Sequence, residues 1–69
     1  MRVKFTEHAL RDAMPDESIT QEEVLSALRK SERTVKLPQD KFKFRYRDVE
    51  VVAQRGEGYW KIITCYRLK

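Results

Sequence analysis

The chain has 69 residues, a net charge of +4 and a pI near 9.5; 38% of its residues are charged and 41% hydrophobic. That length allows one domain, residues 1–69, with a thin core, because a chain of this size buries only about 60% of its unfolded surface. The hydrophobic share excludes wholesale disorder, the single cysteine excludes an internal disulfide, and one histidine without a CxxC pair leaves no usual metal-ligand set.

No metal and no cofactor is therefore expected. The apolar runs fall far short of the ~20 residues that a spanning helix needs, so no membrane partner is expected. The N-terminal MRVKF has no apolar stretch resembling a signal peptide. With the single cysteine, this makes the cytoplasm the expected location. The charge is lopsided. Residues 1–32 hold five basic and seven acidic side chains, net −2; residues 33–69 hold ten and four, net +6. A one-sided basic domain suits a polyanion partner such as nucleic acid, although a soluble basic protein has the same composition.

In chain order, the first helix starts at Thr6, a good N-cap, with Phe5 placed to staple onto Leu10. Ala9, Leu10, Ala13 and Met14 form its apolar face, and Pro15 is expected to stop it at Met14. The second start is Thr20-Gln21-Glu22-Glu23, a capping box flanked by Ile19 and Val24 as the staple. Val24, Leu25 and Leu28 form its buried stripe. Arg29 and Lys30 sit in its last turn, where the helix dipole favours cations.

After Lys30 the period changes from helical to alternating. Thr34–Leu37 reads as a short strand closed by a Leu37-Pro38-Gln39-Asp40 turn. The next stretch, KFKFRYR (41–47), places Phe42, Phe44 and Tyr46 on one face and Lys41, Lys43, Arg45 and Arg47 on the other. Arg47-Asp48 turns the chain into Val49–Arg55, whose Val49, Val51 and Ala53 share a face. Gly56-Glu57-Gly58 is a hairpin loop. The last strand, Tyr59–Arg67, is apolar on both faces, with Trp60 and Ile62 on one side and Ile63 and Cys65 on the other, as a central strand would be. The expected fold is α+β: two N-terminal helices packed on a four-stranded, mainly antiparallel sheet.

The basic stripe is the strongest functional signal. Alternate side chains lie roughly 7 Å apart on one strand face, and cations so arranged are stabilised by an anion running along them. The competing explanation is protection of an exposed edge. Arg55, Lys61 and Arg67 on neighbouring strands can widen the patch. His8 lies opposite the apolar face of its helix, with Arg11 and Asp12 three and four residues on. It is either a proton-transfer group or an anchor for the helix–sheet junction. Phe42, Phe44 and Trp60 read as core; Tyr66 reads either as a packed ring or as a group that donates or accepts a proton at a phosphate.

Together FTEHALRDAM (5–14), ITQEEVLSALRKSERTV (19–35), the aromatic–basic strand and the closing IITCYR (62–67) resemble a family of very small bacterial and archaeal proteins known as domain-of-unknown-function family 4258. His8, Arg11, Ile19, Val24, Ile63, Thr64 and Tyr66 fall on its motif positions. Pro15-Asp16-Glu17-Ser18 departs from it by replacing a basic residue with acidic ones. The resemblance implies the helix–helix–four-strand fold of RelE-like toxins, metal-independent RNA cleavage, and a protein antitoxin or other acidic partner. If that activity is present, Lys43, Arg45 and Arg47 hold the phosphate, beside Lys41 of the same basic stripe. Arg11, Arg55 or Arg67 would complete a phosphate clamp, and His8 or Tyr66 would transfer protons. A non-catalytic nucleic-acid-binding or protein-interaction module on the same fold is the alternative.

Overall fold

The computed structural model describes residues 2–69; Met1, part of the N-terminal stretch read above, lies outside them. A short strand β1 (Val3–Phe5) leads into a helical run over 7–17, made of a π turn (Ala9–Ala13) that passes into α1 (Met14–Glu17). Then come α2 (Gln21–Lys30) and strands β2 (Arg33–Leu37), β3 (Lys41–Tyr46), β4 (Val49–Gly56) and β5 (Tyr59–Arg67). One five-stranded mixed sheet results, in the order β1-β5-β4-β3-β2. The expected α+β class and the four-strand meander are present. The sheet, however, has a fifth strand, β1, which precedes both helices and pairs in parallel with β5. Three residues are too few for a period to be read, and their pairing depends on a strand over fifty residues away.

Thr6 connects β1 to everything that follows. Its hydroxyl accepts from Ala9 N at 3.1 Å, capping the helical run. The same hydroxyl lies 2.9 Å from the Ile62 carbonyl and 3.2 Å from that of Ile63. Those two carbonyls flank a β-bulge. Val52 faces Thr64 but Ala53 faces Ile62, so Ile63 is an extra residue in β5. The strict alternation expected for β5 is thereby corrected. Ile62 and Cys65 both face the core, at 0% and 2% exposure, although their parity differs.

The first helical run also departs from expectation. Pro15 does not stop it at Met14; the run continues to Glu17. A proline ring clashes with the carbonyl four residues back in an α-helix, and the wider π turn, closed by Met14 N to Ala9 O, lies just where that clash would fall. The extra residue in this turn rotates Leu10 off the buried stripe, so Leu10 is 43% exposed while Ala9, Ala13 and Met14 are buried. The run ends in a Schellman motif: Ile19 N donates to Met14 O at 2.9 Å and Ser18 N to Pro15 O at 3.2 Å. Ser18 takes the left-handed conformation there, φ 53° and ψ 44°.

The capping box at Thr20 and Glu23 forms as expected, with both reciprocal bonds at 3.1 Å. The helical run packs on β5, and α2 packs on β3 and β4. Ala9, Ala13, Met14, Ile19, Val24 and Ala27 meet Phe44, Val49, Val51, Ala53, Ile62 and Cys65 in one core. Trp60 stands edge-on to Phe42 and Phe44, with centroids 5.4 and 5.2 Å away, an arrangement that adds about 0.5–1.5 kcal/mol per pair beyond burial. Gly58 closes the last hairpin at φ 77°, and the Tyr59 ring lies so close over Gly56 that a Cβ there would overlap it.

Arg67 ties the layers together. Its Nε donates to Glu17 O at 3.0 Å and its Nη2 to Ser18 O at 2.9 Å. Nη2 also bonds Glu23 Oε2 at 3.0 Å, and Nη1 bonds both Asp48 oxygens at 3.2 Å. Its backbone N–H donates to Glu17 Oε1 at 2.8 Å. One guanidinium thus joins the end of α1, the start of α2, the β3–β4 turn and the end of β5.

Glu23 is held below the usual carboxylate range, first by the Thr20 backbone N–H and then, against some burial, by Arg67. Its proton binds less readily in the folded chain than in the unfolded one. Its contribution to stability is therefore complete above the ordinary carboxylate range and is lost as pH falls through the lowered folded value. Glu23→Gln is expected to be less stable at neutral pH and to lose less stability on acidification than the parent chain, read by urea unfolding across pH. Ser18→Gly is expected to raise stability by about 0.5–1 kcal/mol, because it removes a side chain from a left-handed position. Thermal unfolding followed by circular dichroism checks this.

Candidate nucleic-acid interface

The sheet has two unlike faces. One is covered by the helices. The other is open, and the strand registers place its side chains in rows. Lys4, Lys61, Gln54, Lys41 and Leu37 form one row. Thr64, Val52, Lys43 and Val35 form the next. Tyr66, Glu50, Arg45 and Arg33 form the third. Six cations, Lys4, Arg33, Lys41, Lys43, Arg45 and Lys61, share this face with one acid, Glu50, among the described residues.

Two of these pairings set like charges directly opposite each other: Lys4 against Lys61, and Arg33 against Arg45. Like charges facing across strands destabilise a sheet. Lys4 is partly relieved by the Tyr59 ring, whose centroid lies 4.7 Å from its Nζ. Lys43 Nζ lies 3.7 Å from Glu50 Oε1, a long and partly exposed pair that leaves the lysine free to exchange partners. Arg45 is exposed and forms no ion pair among the described residues.

Lys41, Lys43 and Arg45 thus lie together on the open face, with Phe42 and Phe44 turned to the core. Arg47 does not join them. It sits beyond β3 in a turn at φ 57°, where its guanidinium lies 5.2 Å from the Tyr46 ring, and it lines a groove of about 320 Å³ beside α2. A strand parity cannot be extended through a left-handed residue, which is why the sequence pattern misplaces it. Arg55 falls on the helix-side parity, opposite Trp60, with its guanidinium 5.3 Å from the Phe42 ring. Arg67 is on the helix side too, committed to Glu17, Ser18, Glu23 and Asp48. Arg11 is exposed on the π turn.

His8 stands at the rim. Its Nε2 is 3.3 Å from Thr64 Oγ1 and its Nδ1 is 3.6 Å from Asp12 Oδ2, and its side chain is 60% exposed. The ring contacts the helix–sheet junction at the β5 end of the middle row. Thr64 and Lys43 are two strands apart, about 10 Å between backbones, so a lysine and an imidazole can reach one phosphate group between them. Tyr66 is half-buried on the open face. Burial, and then the negative charge of Glu50 beside it, push its phenol up, so it keeps its proton. Burial and the charges of Glu17 and Glu23 likewise push the Cys65 thiol up, away from nucleophilic use.

Glu50 carries a signal in the sequence itself. The alternation Val49-Glu50-Val51 puts it opposite the core face, the one acid among outward bases, and its side chain is only 15% exposed. Lys4 and Arg33 were missed with their strand ends. Among the described residues there is no cluster of three metal-ligating side chains, and no helix is long and apolar enough to cross a membrane. No family model, curated protein or solved structure matches the chain.

Arg45→Ala and Lys43→Ala are each expected to weaken binding of a polyanion such as oligouridylate and to lower the salt slope by about 1. Arg47→Gly, at a position that favours glycine, is expected to leave both unchanged. Fluorescence anisotropy over a salt series measures the difference.

Proposed function

We propose that the open sheet face binds RNA and cleaves it without a metal, in the manner of the RelE-like toxins whose family the sequence resembles. The observation that supports this best is the pairing of like charges, Lys4 with Lys61 and Arg33 with Arg45, on the one face left uncovered. A sheet has no structural need for such pairs, whereas a phosphodiester strand laid across them neutralises both.

The chemistry follows from what borders the cations. A 2′-hydroxyl attacks the adjacent phosphorus, giving a cyclic phosphate and releasing a 5′-hydroxyl. Lys43 and Arg45, with Lys41, stabilise the charge that builds on the phosphate oxygens; a guanidinium matches two of them at once. Glu50, between Lys43 and Tyr66, is the group placed to take the 2′-hydroxyl proton. Tyr66, which holds its proton, or His8 at the rim, returns one to the leaving oxygen. The partner that restrains such an activity would be an acidic protein of antitoxin type, and the compartment would be the cytoplasm.

A second reading, a non-catalytic nucleic-acid-binding module, is favoured by the position of His8, whose contacts are Thr64 and Asp12 and whose ring lies at the edge of the face. One experiment separates the two. Purified protein is incubated with RNA in excess chelator, and the products are examined for cyclic phosphate and 5′-hydroxyl ends. Cleavage is expected, with Glu50→Gln and His8→Ala each slower by roughly 10²–10⁴ and Arg45→Ala weaker in both binding and cleavage. Salt-sensitive binding with intact RNA would establish the binding module instead. Growth arrest on production in cells, absent for Arg45→Ala, tests the toxin role.

A further inference from the structure

β2 is the outermost strand on one side of the sheet, paired only with β3. The helices pack on β3, β4 and β5. Arg33–Leu37 therefore presents a row of backbone N–H and C=O groups with no strand beyond it. Cations flank that row on both faces. Arg33 lies on the open face, opposite Arg45; Lys36 lies on the other, opposite Phe42; both are exposed. Val35 and Leu37, half-buried, continue the open face between and beyond them.

This combination selects its occupant. A second copy of β2 brings two more cations and no acid to the same edge, so self-pairing leaves Arg33 and Arg45 without a counter-charge. A nucleic acid has no backbone to complete the strand ladder. A neutral strand gains the ladder but leaves Arg33 and Arg45 facing each other. An extended segment with acidic side chains completes the ladder and sets a carboxylate beside the Arg33 guanidinium, which gives the inner Arg33–Arg45 pair a counter-charge at the edge. We propose that β2 receives an extended acidic segment of a partner protein by strand addition, with a carboxylate opposite Arg33. β3, whose basic stripe is the more conspicuous in sequence, cannot take that role, because both of its edges are already paired.

The probe is a capped seven-residue peptide of alternating glutamate and valine; a control replaces each glutamate with lysine. Binding to isotope-labelled protein is followed by amide shifts and hydrogen exchange. The glutamate peptide is expected to shift β2 amides and slow their exchange at least tenfold, and the lysine peptide to bind at least tenfold more weakly. Arg33→Glu removes a like-charge pair and so does not threaten folding; it is expected to reverse that preference. Shifts spread over Lys43, Arg45 and Lys61 without protection of β2 would mean that the peptide acts merely as a polyanion, and would overturn the proposal. So would β2 protection that grows with protein concentration alone, or no binding at millimolar peptide. Failure of oligouridylate to bind while the peptide still protects β2 would count against the RNA reading only, because strand addition does not depend on it.

Discussion

The Arg67 guanidinium is the constraint on which the arrangement of the layers depends. Two short helical segments would not hold their places on a five-stranded sheet by propensity alone, since isolated helices of this length are marginal in water. Apolar contacts set their distance from the sheet but are not directional. Arg67 supplies direction. It satisfies the exposed carbonyls at the end of α1 and meets Glu23 in the first turn of α2, while Asp48 anchors it from the β3–β4 turn. Glu23 is shared between this network and the capping box, so the start of α2 and the end of β5 are fixed by one carboxylate. The hydrogen bond that Arg67 donates to Glu23 is also the foremost reason that its charge is held so firmly.

That commitment divides the basic residues into two groups. One group is spent internally: Arg67 in the carboxylate network, Arg47 over Tyr46 and Arg55 over Phe42. The other, on the open face, has one acid among the described residues and includes two like-charge pairs. Net charge alone does not distinguish them. Strand parity does so for Lys41, Lys43 and Arg45, and pairing register is needed for Lys4 and Arg33.

Much of the fold was legible because its signals are local. The capping box at Thr20, the alternation of 41–46 and the Arg47-Asp48 turn each lie within a few residues, and each appears where expected. What was not legible depends on partners distant in sequence. β1 exists only against β5, and the bulge at Ile63 exists only because Val52 and Ala53 are where they are. The π turn is local, yet it overturned a sound rule: Pro15 breaks an α-helix, and the chain met that by widening the turn before it. At the candidate interface, Lys41, Lys43 and Arg45 were readable from parity. Tyr66 and Arg67 were not, because their strand changes parity halfway along.

That change of parity makes Ile63 a place where the last strand can absorb one residue of length. Before Ile63 the even-numbered side chains of β5 point to the core; after it the odd-numbered ones do. Were Ile63 removed, Ile62 and Thr64 would become neighbours, and the ladder would run on without a bulge, with Cys65 and Arg67 still towards the helices and Thr64 and Tyr66 still on the open face. Were Ile63 instead drawn into the regular ladder, every side chain after it would change face, and the guanidinium would leave the helices while the threonine and phenol left the open side.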